Sequence, residues 1–451
     1  MKRRGFVPNL RTYATMMSGY AAIDDWRPLT TQLELVHSVY RQMREHLERT
    51  PDSIDDPADK SSMASFILYP IALYISILGK VGKHQKAFDV FHELDTTGPL
   101  APHPKIYSSL LSILADRVDA TDVDAQVIAE SVSEAKYFWR RHMRSSDKEP
   151  QHDVQPRSIE AMIKLLSRGN PSDHELMFDI LRDMCELPRP SDGPLPSPPP
   201  SPKKKVWLTP WILKEILDGC IAAFRPEMAV HYAQSVMDTR ELRHILRAWH
   251  LSKLIRAHIL LANKGSALPS RAENVAEWVE WMVAPRRESK STVPDERTVL
   301  SALELCHRCK DPRSALRIAN AMMVDDAKKS QKDPSSLSFP VKAWEYLFRL
   351  MTMAGQDETC RFFELLNLYG SSVLDVWGST SAAIERLQPT EKKAHMSLAL
   401  EIVQVFKTAL QSSDHQGAEK ERPDAADLEA WSDIRKRAES FLRKTRQRQK
   451  S

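Results

Sequence analysis

The chain has 451 residues, 42% apolar and 27% charged, with a formal net charge of +4. That length exceeds what one compact core supports, so several domains or an elongated repeat stack follow, and so small a charge does not by itself establish nucleic-acid binding. Only 13 Gly in a chain rich in Leu, Ala, Met and Arg favour helices, and 5 scattered Cys point to a reducing compartment and away from secretion.

The opening "MKRRGFVPNLRTY" has no apolar signal core, so targeting information is expected to be missing or to lie upstream. "VPN" reads as the close of a unit whose first part is not in this chain. After Pro8-Asn9, "LRTYATMMSGYAA" predicts a helix with Tyr13, Met16, Met17 and Tyr20 on one stripe. A second helix, "TTQLELVHSVYRQMREHL", places Leu33, Val36, Val39, Tyr40 and Met43 together, and "ERTPDSIDDPADKSS" interrupts as a loop.

"SFILYPIALYISILGKVGK" contains Pro70 and is broken by Lys80. Its apolar core falls short of the roughly 20 residues needed to cross a bilayer, so it predicts a buried helix and no membrane span. A turn at Gly82 leads to a helix carrying Ala87, Val90, Phe91 and Leu94, followed at once by "PKIYSSLLSILADR".

These segments repeat a pattern: "VPN…RTYATMMSGYA", "LGKVGKHQKAFDVFHEL" and "APHPKIYSSLLSIL" together supply a Pro-ended linker, a Tyr-led first helix, a Gly-containing turn and an Ala-x-x-x-Phe second helix. The chain thus resembles the pentatricopeptide repeat family, a degenerate unit of about 35 residues, and within it fungal-type mitochondrial proteins. The resemblance implies an all-α fold, a right-handed α-solenoid of degenerate helix-turn-helix repeats.

The rhythm persists from Gln155 to Met184. The Pro-rich "LPRPSDGPLPSPPPSPKKK" then predicts an extended linker. Further pairs follow in "WLTPWILKEILDGCIAA" with "PEMAVHYAQSVM", "ELRHILRAWHLSKLIRAHILLANKG" with "AENVAEWVEWMV", "VPDERTVLSALELCHRCKDPRSALRIANAMM" and "VKAWEYLFRLMTMAGQDETCRFFELLN". The expected organisation is repeats over 1–186 with a truncated first unit, a linker over 187–205, degenerate helical repeats over 206–410, and a polar, basic tail with a possible helix over 411–451.

Catalytic signatures are few. Cys306 and Cys309 in "LCHRCK" have the gap of a zinc or redox site, yet no second pair follows, and small core residues share that spacing. "LGKVGKHQKA" lacks the glycine spacing and the hydroxyl residue of a phosphate loop, and "FHELD" lacks the second His of a zinc protease. The ribonuclease known among pentatricopeptide proteins uses a separate domain with clustered Asp, which no segment here resembles. The expectation is a non-catalytic protein with no cofactor and no metal.

In the resembled family single-stranded RNA is read by two side chains per unit, one after the Tyr position and one closing the unit. Carried onto this sequence, the first is Ala14, Ala72 and Ser108, then Glu160, Leu300 and Glu345; the second is Asn9, His103 and Asp295. Ala and Leu offer a base no hydrogen bond and Glu repels phosphate, so charge and shape outweigh a sequence code. Arg140, Arg141 and Arg144 in "WRRHMR" form a candidate phosphate stripe, which a solvated helix face also explains. Basic runs at Lys203–Lys205, Pro285–Lys290 and the C-terminus add non-specific affinity, whereas Trp139, Trp278 and Trp281 read as core anchors.

The partners expected are single-stranded or ribosomal RNA, with the mitochondrial ribosome, its small subunit above all, or RNA-processing proteins, in mitochondrial RNA metabolism or translation. The competing reading is a protein-interaction solenoid without direct RNA contact.

Overall fold

The computed structural model describes residues 8–49, 60–94, 101–119, 123–148, 153–192, 206–265, 268–284, 294–330, 339–354, 356–412 and 425–447. Among the described residues there are helices and no strand. They form two compact units, 1–245 and 246–451.

Unit 1 is a stack of helical hairpins: α1 (Leu10–Ala21) with α2 (Thr30–Arg49), α3 (Lys60–Lys80) with α4 (His84–His92), and α5 (Pro104–Asp119) with α6 (Ala125–Lys148). Two more follow, α7 (Pro156–Leu166) with α8 (Pro171–Cys185) and α9 (Pro210–Ala222) with α10 (Pro226–Asp238). Each first helix packs on its own second helix and on the first helix of the next hairpin, α1 on α3, α3 on α5, α5 on α7 and α7 on α9. A lone hairpin cannot cover its apolar face, so each needs its neighbour, as the repeat pattern implies.

Local chemistry sets these boundaries. Asn9 Oδ1 accepts the Thr12 N–H at 3.0 Å and Thr209 Oγ1 accepts the Ile212 N–H at 3.1 Å, capping α1 and α9. Pro156, Pro171, Pro210 and Pro226 open their helices, where a missing N–H is harmless. The first helices approach closely: a Cβ on Gly79 of α3 would lie 2.3 Å from Ile113 of α5, and one on Gly219 of α9 would lie 3.0 Å from Ile163 of α7. The second helices of unit 1 pack on one another less closely than the first helices do.

Unit 2 begins with three hairpins, α11 (Ala248–Asn263) with α12 (Pro269–Val283), α13 (Glu296–Cys309) with α14 (Pro312–Ser330), and α15 (Val341–Ala354) with α16 (Gln356–Tyr369). Then come α17 (Ser371–Gly378), α18 (Ser381–Glu385), α19 (Pro389–Ser412) and α20 (Ala425–Gln447). First helices α11, α13 and α15 stack in turn, and α19 takes the next place against α15.

The periodicity readings hold for most named residues. Tyr13, Met17, Val36, Val39, Tyr40, Met43, Ala87, Val90, Phe91 and Leu94 are buried, as are Trp139 and Trp278. Met16 departs from the predicted stripe at 41% exposure.

Two sections of the chain differ from the expected organisation. The boundary between units falls after Ile245 and not in the Pro-rich stretch, because both ends of that stretch are pinned within unit 1. Arg189 Nε binds Asp192 at 3.1 Å, His231 Nε2 meets the Pro188 carbonyl at 3.0 Å, and the Val206 N–H donates to the Met184 carbonyl at 3.0 Å. The rest of the stretch, 193–205, lies outside the described residues, as do 285–290 and 448–451. From residue 425 the C-terminal section is a helix, as the sequence allowed, but it is packed instead of trailing as a tail, with Trp431 at 5.1 Å from Phe363 and Phe441 at 6.5 Å from Trp377. Among the described residues no helix is long and apolar enough to cross a membrane.

Candidate nucleic-acid interface

The positions expected to read bases are mostly buried or already hydrogen-bonded within the fold. Ala14, Ala72 and Ser108 are 8%, 4% and 7% exposed, buried in the layer where first helices approach one another. Small side chains suit that approach. Glu160 is half-buried, its carboxyl pushed up chiefly by burial, and it accepts the Thr209 hydroxyl at 3.4 Å. Glu345 is committed to Arg349 at 2.5 Å and to the Ser397 hydroxyl at 2.9 Å, joining α15 to α19; Leu300 is half-buried.

The unit-closing positions act as helix caps. Asn9 caps α1, and Asp295 Oδ1 accepts the Thr298 N–H at 2.8 Å, a bond that holds the Asp295 carboxyl below its ordinary range. His103 precedes α5 and receives the Lys105 N–H on Nδ1 at 3.4 Å. Asn9 and Asp295 remain exposed, but the cap occupies an acceptor oxygen on each.

What faces solvent on the first helices is a different register, the second residue of the helix, three positions before the Ala14 site. In unit 1 it is Arg11 in α1, Lys105 in α5, Arg157 in α7 and Trp211 in α9, all exposed. In α3, which begins further upstream, the same register holds half-buried Tyr69, three positions before Ala72. Lys105 Nζ stands 4.6 Å from the centroid of the Tyr69 ring, so the row is continuous from α3 to α5. In unit 2 the register holds Trp249 in α11, Arg297 in α13 and Lys342 in α15, again exposed. Every first helix of the hairpins therefore presents a cation or an aromatic ring at this register.

Charge pairing sharpens the row. Further along the same helices the cations are neutralised: Lys164 and Arg168 meet Asp119 at 2.8 and 2.9 Å, and Lys214 meets Glu215 at 2.7 Å. Among the described residues no carboxylate lies within ion-pair distance of Arg11, Lys105 or Arg157. The Arg157 Nε–H instead donates to the Ser112 hydroxyl at 3.0 Å. Peptide N–H groups of a helix's first turn add partial positive charge at the same edge.

Arg140 and Arg141 sit on second helix α6. Arg140 is exposed; Arg141 lies 4.9 Å over the Phe91 ring and donates to the Tyr137 hydroxyl at 3.3 Å, so its guanidinium serves packing. At the C-terminus the Lys444 Nζ donates to the Ser379 carbonyl at 2.8 Å. Cys306 and Cys309 are buried, and burial pushes both thiols up. Among the described residues no three His, Cys, Asp or Glu side chains are grouped to hold a metal ion.

Repeated hairpins, stacked first helices and the linker-to-helix motifs agree. Each unit is built of stacked helical hairpins, the architecture of a helical-repeat solenoid. No protein-family model matches it and no curated protein is similar to it in sequence. Among solved structures it is similar to the pentatricopeptide repeat protein PPR10 from maize, at 13% identity and a TM-score of 0.25 over 99% of this chain. The chain spans 60% of the length of that protein, and at so low a score no residue correspondence follows.

The second-residue row escapes a sequence reading that follows the family's register for base recognition. Its signal is nonetheless present: counting two residues on from the residue before each first helix, α3 excepted, yields Arg, Lys or Trp.

Proposed function

We propose that the first-helix face binds single-stranded RNA without catalysis, through phosphate contacts and base stacking with little base-edge readout. The observation that carries this reading is the cation or aromatic at the second-residue register of each first helix. Cations supply sequence-independent affinity through counterion release, and rings stack any base because every base has a π-face. Packed helices sit about 8–10 Å apart, so the row offers one such group per hairpin along a path that an extended strand can follow. Buried Ala14, Ala72 and Ser108 leave hydrogen-bond discrimination between bases unsupported at those positions.

The resemblance to fungal-type mitochondrial proteins supports a role in mitochondrial RNA metabolism or translation. A reader of charge and π-faces suits single-stranded stretches of ribosomal RNA, and the small ribosomal subunit is the partner this reading favours.

The test is a titration of the full chain with a labelled mixed-sequence single-stranded RNA at several salt concentrations. Each phosphate contact contributes about 0.7 to the log-log salt slope for single strands, so Arg11→Ala/Lys105→Ala/Arg157→Ala should lower the slope by about 2. Wild-type affinity and slope in that variant would overturn the proposal. Cross-linking in isolated mitochondria should recover small-subunit ribosomal RNA above other transcripts.

A further inference from the structure

The RNA reading leaves unused a group of cations on the second helices α2 and α4 of unit 1. It surrounds His37, half-buried on α2, whose Nδ1 shares a hydrogen bond with the Tyr74 hydroxyl of α3 at 2.8 Å. Tyr74 in turn stacks on Tyr40 of α2, with ring centres 3.9 Å apart. Two buried polar atoms of this layer have no hydrogen-bond partner among the described residues: His37 Nε2 and the hydroxyl of Tyr40, which is 9% exposed.

The charge around His37 is uncompensated. Burial brings its pKa down to about 4, helped by the charges of Lys86, Lys83 and Arg41, and no carboxylate is among the charges that act on it. Arg41 follows His37 by one turn of α2, and Lys83 and Lys86 stand one turn apart at the start of α4. All three are exposed, and among the described residues none of them pairs its side chain with a carboxylate. Asp89, one turn beyond Lys86, instead accepts the Gln85 amide at 3.0 Å. Lys83 opens α4 without a side-chain cap, so peptide N–H groups of the first turn stay without an intrahelical partner at the same place. Cations gathered in this way repel one another, and an anion removes that cost. A carboxylate brings one charge and two oxygens, whereas phosphate brings nearly two charges and a further oxygen, enough for ammonium groups and N–H groups together. A nucleobase finds no ring to stack on, since Tyr74 is 1% exposed and lies against Tyr40.

We propose that Arg41, Lys83 and Lys86 bind a dianionic phosphate group, as inorganic phosphate or a small phosphate monoester. The Lys83 and Lys86 ammonium groups and the first-turn N–H groups of α4 hold its oxygens, and Arg41 meets it from α2. The proposal is independent of the RNA row, which lies on the first helices.

The test is a calorimetric titration of the full chain, in chloride buffer at neutral pH, with inorganic phosphate and separately with adenosine monophosphate. NMR spectra of the chain with labelled histidine rings follow the same titrations. Phosphate should bind, and the His37 ring should then titrate at higher pH, because a bound anion favours the imidazolium. Tighter binding of adenosine monophosphate would support a monoester as the ligand, and equal or weaker binding would support free phosphate. Lys83→Ala/Lys86→Ala should weaken phosphate by about tenfold or more. Arg41→Gln should weaken it too, and it decides the matter should the double variant lose its helical circular dichroism. Arg11→Ala/Lys105→Ala/Arg157→Ala should bind phosphate as the wild type does. No binding of phosphate, wild-type binding in Lys83→Ala/Lys86→Ala, weakened binding in the triple variant, or displacement by single-stranded RNA without terminal phosphates would each overturn the proposal.

Discussion

Lys105 and Tyr69 hold the same register in consecutive first helices, and the Lys105 ammonium lies 4.6 Å from the centre of the Tyr69 ring. One residue supplies charge and the other a π-face, and their contact fixes the lysine over a ring instead of leaving it to swing through solvent. Unit 1 thus carries both cations and rings at this register, in the order Arg11, Tyr69, Lys105, Arg157 and Trp211, the two kinds of contact that the proposed RNA binding would use.

The two kinds of contact separate experimentally. Trp211 is 56% exposed at the first turn of α9. Trp211→Ala should weaken single-stranded RNA binding by about 1–3 kcal/mol, roughly fivefold to 150-fold, without changing the salt slope, and Trp211→Phe should recover most of the loss. Arg157→Ala should do the reverse, lowering the slope by about 0.7. Fluorescence anisotropy across a salt series measures both, and a Trp211→Ala variant whose slope falls would contradict a stacking role.

Installing code-like residues should fail. Ala72 is 4% exposed where α3 packs between neighbouring first helices. An Asn there buries an amide in a space fitted to a methyl group, so Ala72→Asn and Ala14→Asn should each cost about 1–3 kcal/mol of stability. Neither should sharpen the RNA sequences selected from a random pool. The urea midpoint and the sequenced bound pool report the two effects, and a stable, newly selective Ala72→Asn would return this position to base reading.

The helices are legible in the sequence because periodicity is a local property. Tyr13 and Met17, or Ala87 and Phe91, lie four apart and are buried together. Caps are legible as residue types, yet Asn9 and Asp295 can be taken for RNA contacts because a side chain suited to a base edge is equally suited to a backbone N–H. Burial at Ala14, Ala72 and Ser108 is not legible: it depends on how closely two helices from different hairpins approach, and only pairs such as Gly79 with Ile113 reveal that distance. The C-terminal helix looks like a basic tail in sequence because Trp431, Ile434, Ala438 and Phe441 are spread among Lys and Arg, and their partners Phe363 and Trp377 lie far upstream.

Unit 2 should lose stability in mild acid. His258 of α11 is 1% exposed, neither ring nitrogen has a hydrogen-bond partner among the described residues, and burial, aided by the Arg271 charge, brings its pKa down to about 4. His395 of α19 is 2% exposed, and burial brings it to about 4 as well. An unfolded histidine titrates near 6.5, so between about 6.5 and about 4 the unfolded chain binds more protons than the folded one. The contribution is complete above the upper value and is lost as pH falls through the window. At about 1.4 kcal/mol per pH unit, each imidazole should account for on the order of 2 kcal/mol lost by pH 5. Urea midpoints at pH 7 and pH 5 measure it, and His258→Leu/His395→Leu should flatten the difference. An equally steep fall in that variant would place the acid sensitivity elsewhere.

Asp173 should matter more to unit 1 than Lys136, although the two are paired. Asp173 is 3% exposed and its Oδ2 accepts the Asn170 N–H at 3.0 Å, while Asn170 Oδ1 accepts the Asp173 N–H at 3.1 Å, closing a capping box on α8. Its Oδ1 also accepts Lys136 Nζ from α6 at 2.6 Å, which links two second helices in a layer that is otherwise loosely joined. Asp173→Ala removes the cap and the link together and should cost about 2–3 kcal/mol. Lys136 is one-quarter exposed at its side chain, so Lys136→Met leaves the cap intact and should cost about 1 kcal/mol. Asp173→Asn, which keeps an acceptor oxygen for the cap but loses the charge, should fall between them. The double variant should cost less than the two single losses combined, because the link is then removed only once. Chemical denaturation of the four proteins tests this order, and equal losses from Lys136→Met and Asp173→Ala would mean that the link, and not the cap, holds α8 in place.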